Sequence, residues 1–177
     1  MRDKIDNGKI DSIKKEKVFE LSKENGKWKV IFSQIEKYKN TFGVWVMVNE
    51  AEDVLEVGQS SDIGEELNDD LSYLLNCYCD RKERIKPYTA RRLFEFNERF
   101  VVSEYDKNRT TAKYRIIAEK NEIITVYRVM EDMALSDDRN EREYIEMVIA
   151  VDNTAKYWNA YGRQRHLAKE YYEKVNN

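Results

Sequence analysis

Residues that bend a chain, cross-link it or bind metal are scarce here. Among 177 residues there are one proline, six glycines, two cysteines and one histidine. So little proline and glycine excludes collagen-like and linker-like classes. Cys77 and Cys79 stand in C-x-C spacing, too close for an ordinary bridge, and no second pair completes a zinc site. They read as two reduced thiols near a helix end, which points to a cytoplasmic location. His166, in GRQRHLAKEYY, has no histidine or cysteine partner and is a poor metal candidate. No apolar run approaches the roughly 18 residues of a membrane span, so no membrane partner is expected. The stretch MRDKIDNGKIDSIKKEK lacks an apolar signal region, so secretion is not expected. A glycine-rich phosphate loop, an H-E-x-x-H helix and a nucleophile elbow are all missing.

What the chain does have is charge and aromatic bulk. Basic and acidic residues number 31 and 34, for a net charge of −3. With 12 Tyr, 6 Phe and 3 Trp, a disordered chain is excluded. The length suits one domain, or a domain with a small appendage, around a real core. A pI near 5.5 argues against a dedicated nucleic-acid binder. The charges are segregated. Residues 43–80 hold 10 acids and no base, whereas residues 81–92, RKERIKPYTARR, hold 6 bases and 1 acid. Arg81, Lys82, Arg84, Lys86, Arg91 and Arg92 are thus the candidate DNA-binding strip, with Tyr88 among them. Offsetting the preceding acidic segment is the favoured role for this strip.

Residues 9–24 carry Ile10, Ile13, Val18 and Leu21 near helical spacing, and Asn25-Gly26 reads as a stop. Residues 27–39 continue with Trp28, Ile31, Phe32, Ile35 and Tyr38, again near period 3.6. The spacing predicts an N-terminal helical pair, and residues 1–42 are expected to form a helical extension to an α+β domain over 43–177. GVWVMVN (43–49) and VLEVG (54–58) predict a β-hairpin. Ser60-Ser61-Asp62 then offers caps for a helix with Ile63, Leu67, Leu71, Leu74 and Leu75 on one face. Residues 100–105, 112–118 and 123–129 read as a strand meander. Ser136-Asp137-Asp138 caps a helix through Tyr144, Ile145, Val148 and Val151, and a last helix spans about 159–174. The expected fold is α+β, with a small antiparallel or mixed sheet flanked by helices. For the late aromatics Tyr157, Trp158, Tyr161, Tyr171 and Tyr172, helix packing or an oligomer contact is favoured over stacking on bases.

The segment GVWVMVNEAEDVLEVGQSSDIGEEL, residues 43–67, resembles the GIY-YIG motif of a nuclease superfamily. That superfamily includes homing endonucleases, restriction enzymes and the incision subunit of bacterial nucleotide excision repair. Gly43-Val44-Trp45 stands for the first half of the motif and Glu56-Val57-Gly58-Gln59-Ser60 for the second. Trp45 and Glu56 lie 11 residues apart, a separation the family commonly uses between its tyrosines. The resemblance implies a third core strand at 123–129, with the later acid and asparagine at Glu146 and Asn159. It also implies Mg²⁺ or Mn²⁺ as cofactor of an active enzyme, with Glu146 holding the metal.

The departures from the motif bear on chemistry. Both tyrosine positions are altered, to Trp45 and Glu56, and the helix arginine falls at Glu66. Indole has an N–H donor and no acidic hydroxyl, so it cannot act as a base. A carboxylate repels phosphate where arginine would bind it twice over. Rescue by Arg81 or Arg84 would require a relocated charge. Under the resemblance Glu56, Glu66 and Glu146 face one concavity. They could bind a hard cation or share protons, but solvated surface acids are the favoured reading. The expected function is a catalytically degenerate GIY-YIG-like domain acting as an interaction or regulatory protein, in a phage or mobile-element setting. The alternatives are a diverged, active, metal-dependent endonuclease and an unrelated α+β protein. DNA, a protein partner and a second copy of the chain stay open as partners.

Overall fold

The run GVWVMV is apolar at every position, which suits a strand covered on both faces rather than one. The structure, a computed structural model, describes residues 7–76, 90–92, 101–103, 109–158 and 163–176. Strands β1 (Lys15–Glu24), β2 (Lys27–Ser33), β3 (Gly43–Asn49) and β4 (Val54–Ser60) come first, with a short 3-10 turn at Ile35–Tyr38 between β2 and β3. Helix α1 (Ile63–Asn76), the short strands β5 (Ala90–Arg92) and β6 (Val101–Ser103) and helix α2 (Arg109–Lys120) follow. Strand β7 (Ile123–Val129) and helices α3 (Arg139–Asp152) and α4 (Arg163–Asn176) complete the order. Five strands form one antiparallel sheet in the order β2-β1-β7-β3-β4, and β5 pairs with β6 separately.

Successive β3 side chains feed two cores. Val44, Val46 and Val48 join Val57, Val129 and the α3 residues Ile145, Val148 and Ile149. Trp45 and Met47 join Ile63, Leu67 and Leu74 of α1 and Tyr114, Ile117 and Ala118 of α2. The sheet is therefore sandwiched, with α1 and α2 on one face and α3 and α4 on the other. Helix α1 starts where Asp62 Oδ1 accepts the Glu65 N–H at 3.0 Å. Helix α3 starts where Asp138 accepts the Asn140 N–H at 2.8 Å. Among the described residues no helix is long and apolar enough to cross a membrane.

The α+β class, the 43–60 hairpin, α1, β7, α3 and the last helix match the sequence expectation. The N-terminal helical pair does not. Residues 15–33 form a hairpin instead, and these first strands belong to the same sheet as β3 and β7. Asn25 and Gly26 have φ of 52° and 73°, which makes them the two-residue turn of a hairpin rather than a helix stop. Glu24 pairs with Lys27 across that turn. The misleading period came from Trp28, Ile31 and Phe32. Only Trp28 is buried, and a bulge leaves Ile31 opposite no residue of β1. The expected meander is also corrected. Residues 112–118 are helical, with Tyr114, Ile117 and Ala118 on one face, and β7 pairs with β1 and β3.

Helix α1 is held close to the chain before it. A methyl group on Gly64 would lie 2.6 Å from the Lys39 backbone N and 2.8 Å from the Tyr38 carbonyl carbon. At an open helical position Gly→Ala stabilises by up to about 1 kcal/mol. Here Gly64→Ala must move backbone, and we expect a loss of about 1–3 kcal/mol. Urea unfolding checks this through a lower midpoint at unchanged slope.

Candidate functional site

The β3–β4 ladder contains a bulge that sets the site. Val48 pairs with Val54 and Met47 with Glu56, leaving Leu55 as the extra residue. Without the extra residue, alternation would send Glu56 to the opposite face from Leu55. With it, Glu56 shares the Met47 face, beside Trp45 and α1. Gly58 sits opposite Trp45, and a methyl there would lie 2.4 Å from Trp45 Cζ2. The glycine of the EVGQS stretch thus makes room for the indole.

Strand β4 is the outer strand, so the two helical layers meet around its free side. Its first half is closed, because the N–H groups of Lys156 and Tyr157 donate to the Val54 and Leu55 carbonyls at 3.1 and 2.8 Å. Beyond that, Glu56 to Gln59 line a cavity of about 300 Å³. Trp45 and Glu66 border it from the α1 side, and Glu146 and Trp158 from the α3 side. Lys113, Arg139, Glu143 and Gln164 complete the wall.

Each carboxyl in the wall has a particular partner. Trp45 Nε1 donates to Glu66 Oε1 at 3.0 Å, and Trp158 Nε1 donates to Glu146 Oε1 at 2.7 Å. Glu56 Oε1 accepts from the Lys113 ammonium, while its buried Oε2 has no partner among the described residues. Arg139 Nε donates to Glu143 Oε1 at 2.8 Å. Burial pushes the Glu146 carboxyl up to about 8, against the opposing hydrogen bonds from Trp158 and Gln164. Burial also raises Glu66, opposed by hydrogen bonds from Ser60 and Trp45. One turn along α1, buried Asp70 is pushed up to about 8 by burial and then by the Glu56 charge, with the Tyr114 hydrogen bond opposing. Among the described residues its Oδ2 has no hydrogen-bond partner.

The structure brings Trp45, Glu56, Glu66 and Glu146 to one cavity. The favoured reading of three solvated surface acids is corrected, because Glu56 and Glu146 are buried and Glu66 is half-buried. Residues 43–80 contain no base of their own, but α2 and α3 bring Lys113 and Arg139 to their acids. Among the described residues no three His, Cys, Asp or Glu side chains gather as metal ligands. Trp158 bonds one oxygen of Glu146 and burial raises its carboxyl, so a divalent cation held there would have to displace a proton. Of the expected basic strip, Arg91 and Arg92 lie on β5. Arg81, Lys82, Arg84 and Lys86 lie outside the described residues, as do Cys77, Cys79 and Asn159. Tyr157 and Trp158 are buried, and Tyr171 and Tyr172 pack against the α3 core, so packing is their role. His166 is exposed. Sequence reasoning missed Lys113 and Tyr114 because residues 112–118 read as a strand, and Asp70 because its burial depends on α2 packing against α1. The i, i+3, i+4 spacing of Tyr114, Ile117 and Ala118 was the available signal.

No protein-family model, no curated protein and no solved structure matches the chain.

The raised carboxyls tie stability to pH. Asp70 has an ordinary value of 3.8 and a folded value of about 8. Folding therefore takes up a proton between those values, and stability falls by up to about 1.4 kcal/mol per pH unit across that window. It is greatest below the lower value and flat above the upper one. Asp70→Asn keeps the shape of the neutral acid and removes the Asp70 share of the dependence, leaving those of Glu146 and Glu66. We expect it to stabilise the protein by on the order of 2 kcal/mol at pH 7, with the gain vanishing toward pH 4. Thermal melts of both proteins at pH 4, 5.5, 7 and 8.5 read this directly.

Proposed function

We propose that the chain is a catalytically degenerate GIY-YIG-like domain acting as an interaction or regulatory protein. The observation that supports this is the gathering of Trp45, Glu56, Glu66 and Glu146 around one cavity. These are the positions where the resemblance expects two tyrosines, an arginine and a metal-holding glutamate. The order of elements agrees with it: a hairpin, a helix, a later strand paired with the first strand of that hairpin, then a helix bearing Glu146. Two stretches of sequence far apart converge on one pocket, which an accidental match in a single hairpin would not require.

The residues in that pocket argue against hydrolysis. No hydroxyl stands at either tyrosine position, and Glu66 replaces the cation that would meet phosphate. Losing a single such group costs about 10²–10⁴ in rate. A second reading, a diverged active endonuclease, rests on Arg139, which lines the same cavity and whose side chain is 74% exposed. That guanidinium is a relocated cation within reach of a phosphate.

Supercoiled plasmid with Mg²⁺ or Mn²⁺ separates the two readings. We expect no nicking by the unmodified protein. Nicking that disappears in Arg139→Ala would establish the second reading instead. The triple variant Trp45→Tyr, Glu56→Tyr, Glu66→Arg restores the family's residue types and changes local charge by +3, with two glutamates lost and one arginine gained. Provided circular dichroism shows it folded, we expect trace metal-dependent nicking that Glu146→Ala abolishes. A folded triple variant inert toward DNA would count against the GIY-YIG reading.

A further inference from the structure

Carboxyls outnumber cations in the wall of the cavity beside β4. Glu56, Glu66, Glu143 and Glu146 line it, against Lys113 and Arg139. Glu56 holds Lys113 and Glu143 holds Arg139. Glu66 and Glu146 have no ion-pair partner among the described residues, and each accepts an indole N–H instead. Leaving Glu146 out of the count, since burial raises its carboxyl, three carboxylates still stand against two cations. A second observation points the same way. Glu56 is 7% exposed, and among the described residues its Oε2 has no hydrogen-bond partner. Native structures leave few buried acceptors without a donor. We propose that this cavity receives a guanidinium group, carried by an arginine of a partner protein or by a small guanidine compound, with Glu66 as its counter-ion. The inference rests on the reading of the cavity as an interaction site and names the chemistry that the site accepts.

The walls select the kind of cation. A volume of about 300 Å³ is at the small end of ligand pockets, and it suits one side chain rather than a nucleotide. Among the described residues no three His, Cys, Asp or Glu side chains gather as metal ligands, so the wall favours an organic cation over a metal ion. Two indoles, Trp45 and Trp158, border the same space. A guanidinium bonds carboxylates through a planar fork of donors and is attracted to indole rings. It is weakly hydrated and keeps its charge when taken out of water. An ammonium is strongly hydrated and shifts its pKa readily on burial, so it suits a largely dry site less well. An anion would meet the surplus of carboxylates and be repelled.

Ethylguanidinium chloride, titrated into the full isotope-labelled chain, tests this through the three indole N–H signals in NMR. Trp45 and Trp158 line the cavity, and Trp28 does not, so Trp28 is the internal control. Its signal is identified by Trp28→Phe. We expect the Trp45 and Trp158 signals to move with a Kd below about 1 mM while that of Trp28 stays in place. Glu66→Gln keeps an acceptor for the Trp45 N–H and removes the charge, and it should weaken binding at least about tenfold. Glu65→Gln makes the same charge change on the exposed neighbour and should alter binding less than about twofold. N-acetyl-arginine amide binding at least as tightly as ethylguanidinium assigns the group to an arginine of a protein. Binding of ethylguanidinium without binding of the blocked arginine assigns it to a small compound. Unmoved Trp45 and Trp158 signals up to about 20 mM overturn the proposal, as does an equal shift of Trp28. Equal affinity for n-butylammonium overturns the choice of guanidinium, and a folded Glu66→Gln that binds as before overturns the role of Glu66. If Glu66→Gln does not fold, the titration of the unmodified chain decides. A failed titration leaves the degenerate-nuclease reading standing, because plasmid nicking tests that reading separately.

Discussion

Strand β3 is buried on both faces, and the rest of the architecture answers to that. A one-sided sheet could not hide alternate side chains as large as Trp45, Met47 and the three valines. Each such side chain contributes about 1.5–3 kcal/mol only if water is kept from it. Covering both faces requires helices on both, and α1 with α2 and α3 with α4 provide them. Strands β4 and β7 flank β3 and satisfy its backbone, and β7 in turn recruits the N-terminal hairpin.

The cavity is a consequence of that sandwich. Two helical layers that pass a border strand leave a cleft beside it, and β4 is such a strand. A single extra residue, Leu55, decides that Glu56 turns toward the cleft shared with Trp45 and Glu66. Carboxyls placed there are largely dry, so each is bonded to an indole N–H or an ammonium, or holds its proton. Trp45 with Glu66 and Trp158 with Glu146 are matched pairs from opposite layers. The site is accordingly an array of hydrogen-bonded and ion-paired groups rather than a cluster of free charges.

Much of this was legible. The β3–β4 hairpin, α1, β7 and α3 each announce themselves through period and caps, and the motif resemblance picked out Trp45, Glu56, Glu66 and Glu146 before any coordinates. The failures have identifiable causes. Glu24-Asn25-Gly26-Lys27 is a strong hairpin signal, but the exposed apolar residues of β2 happen to fall at helical spacing. Residues 112–118 are short and mixed enough to fit either period. A half-buried lysine such as Lys113 has no marker in sequence, since its position depends on Glu56 arriving from a strand 57 residues earlier.

The sequence by itself determined the α+β class, the two-sided burial of β3 and the residue types at the four motif positions. These are local matters of side-chain size, alternation and capping, and they need no knowledge of what packs where. Only the tertiary structure decided which faces those residues share, which acids lose water and which cations reach them. The bulge at Leu55, the packing of α3 against β4 and the covering of the β4 border by Lys156 and Tyr157 bring together groups far apart in the chain. Desolvation and pairing depend on that juxtaposition, so no reading of local pattern could supply them.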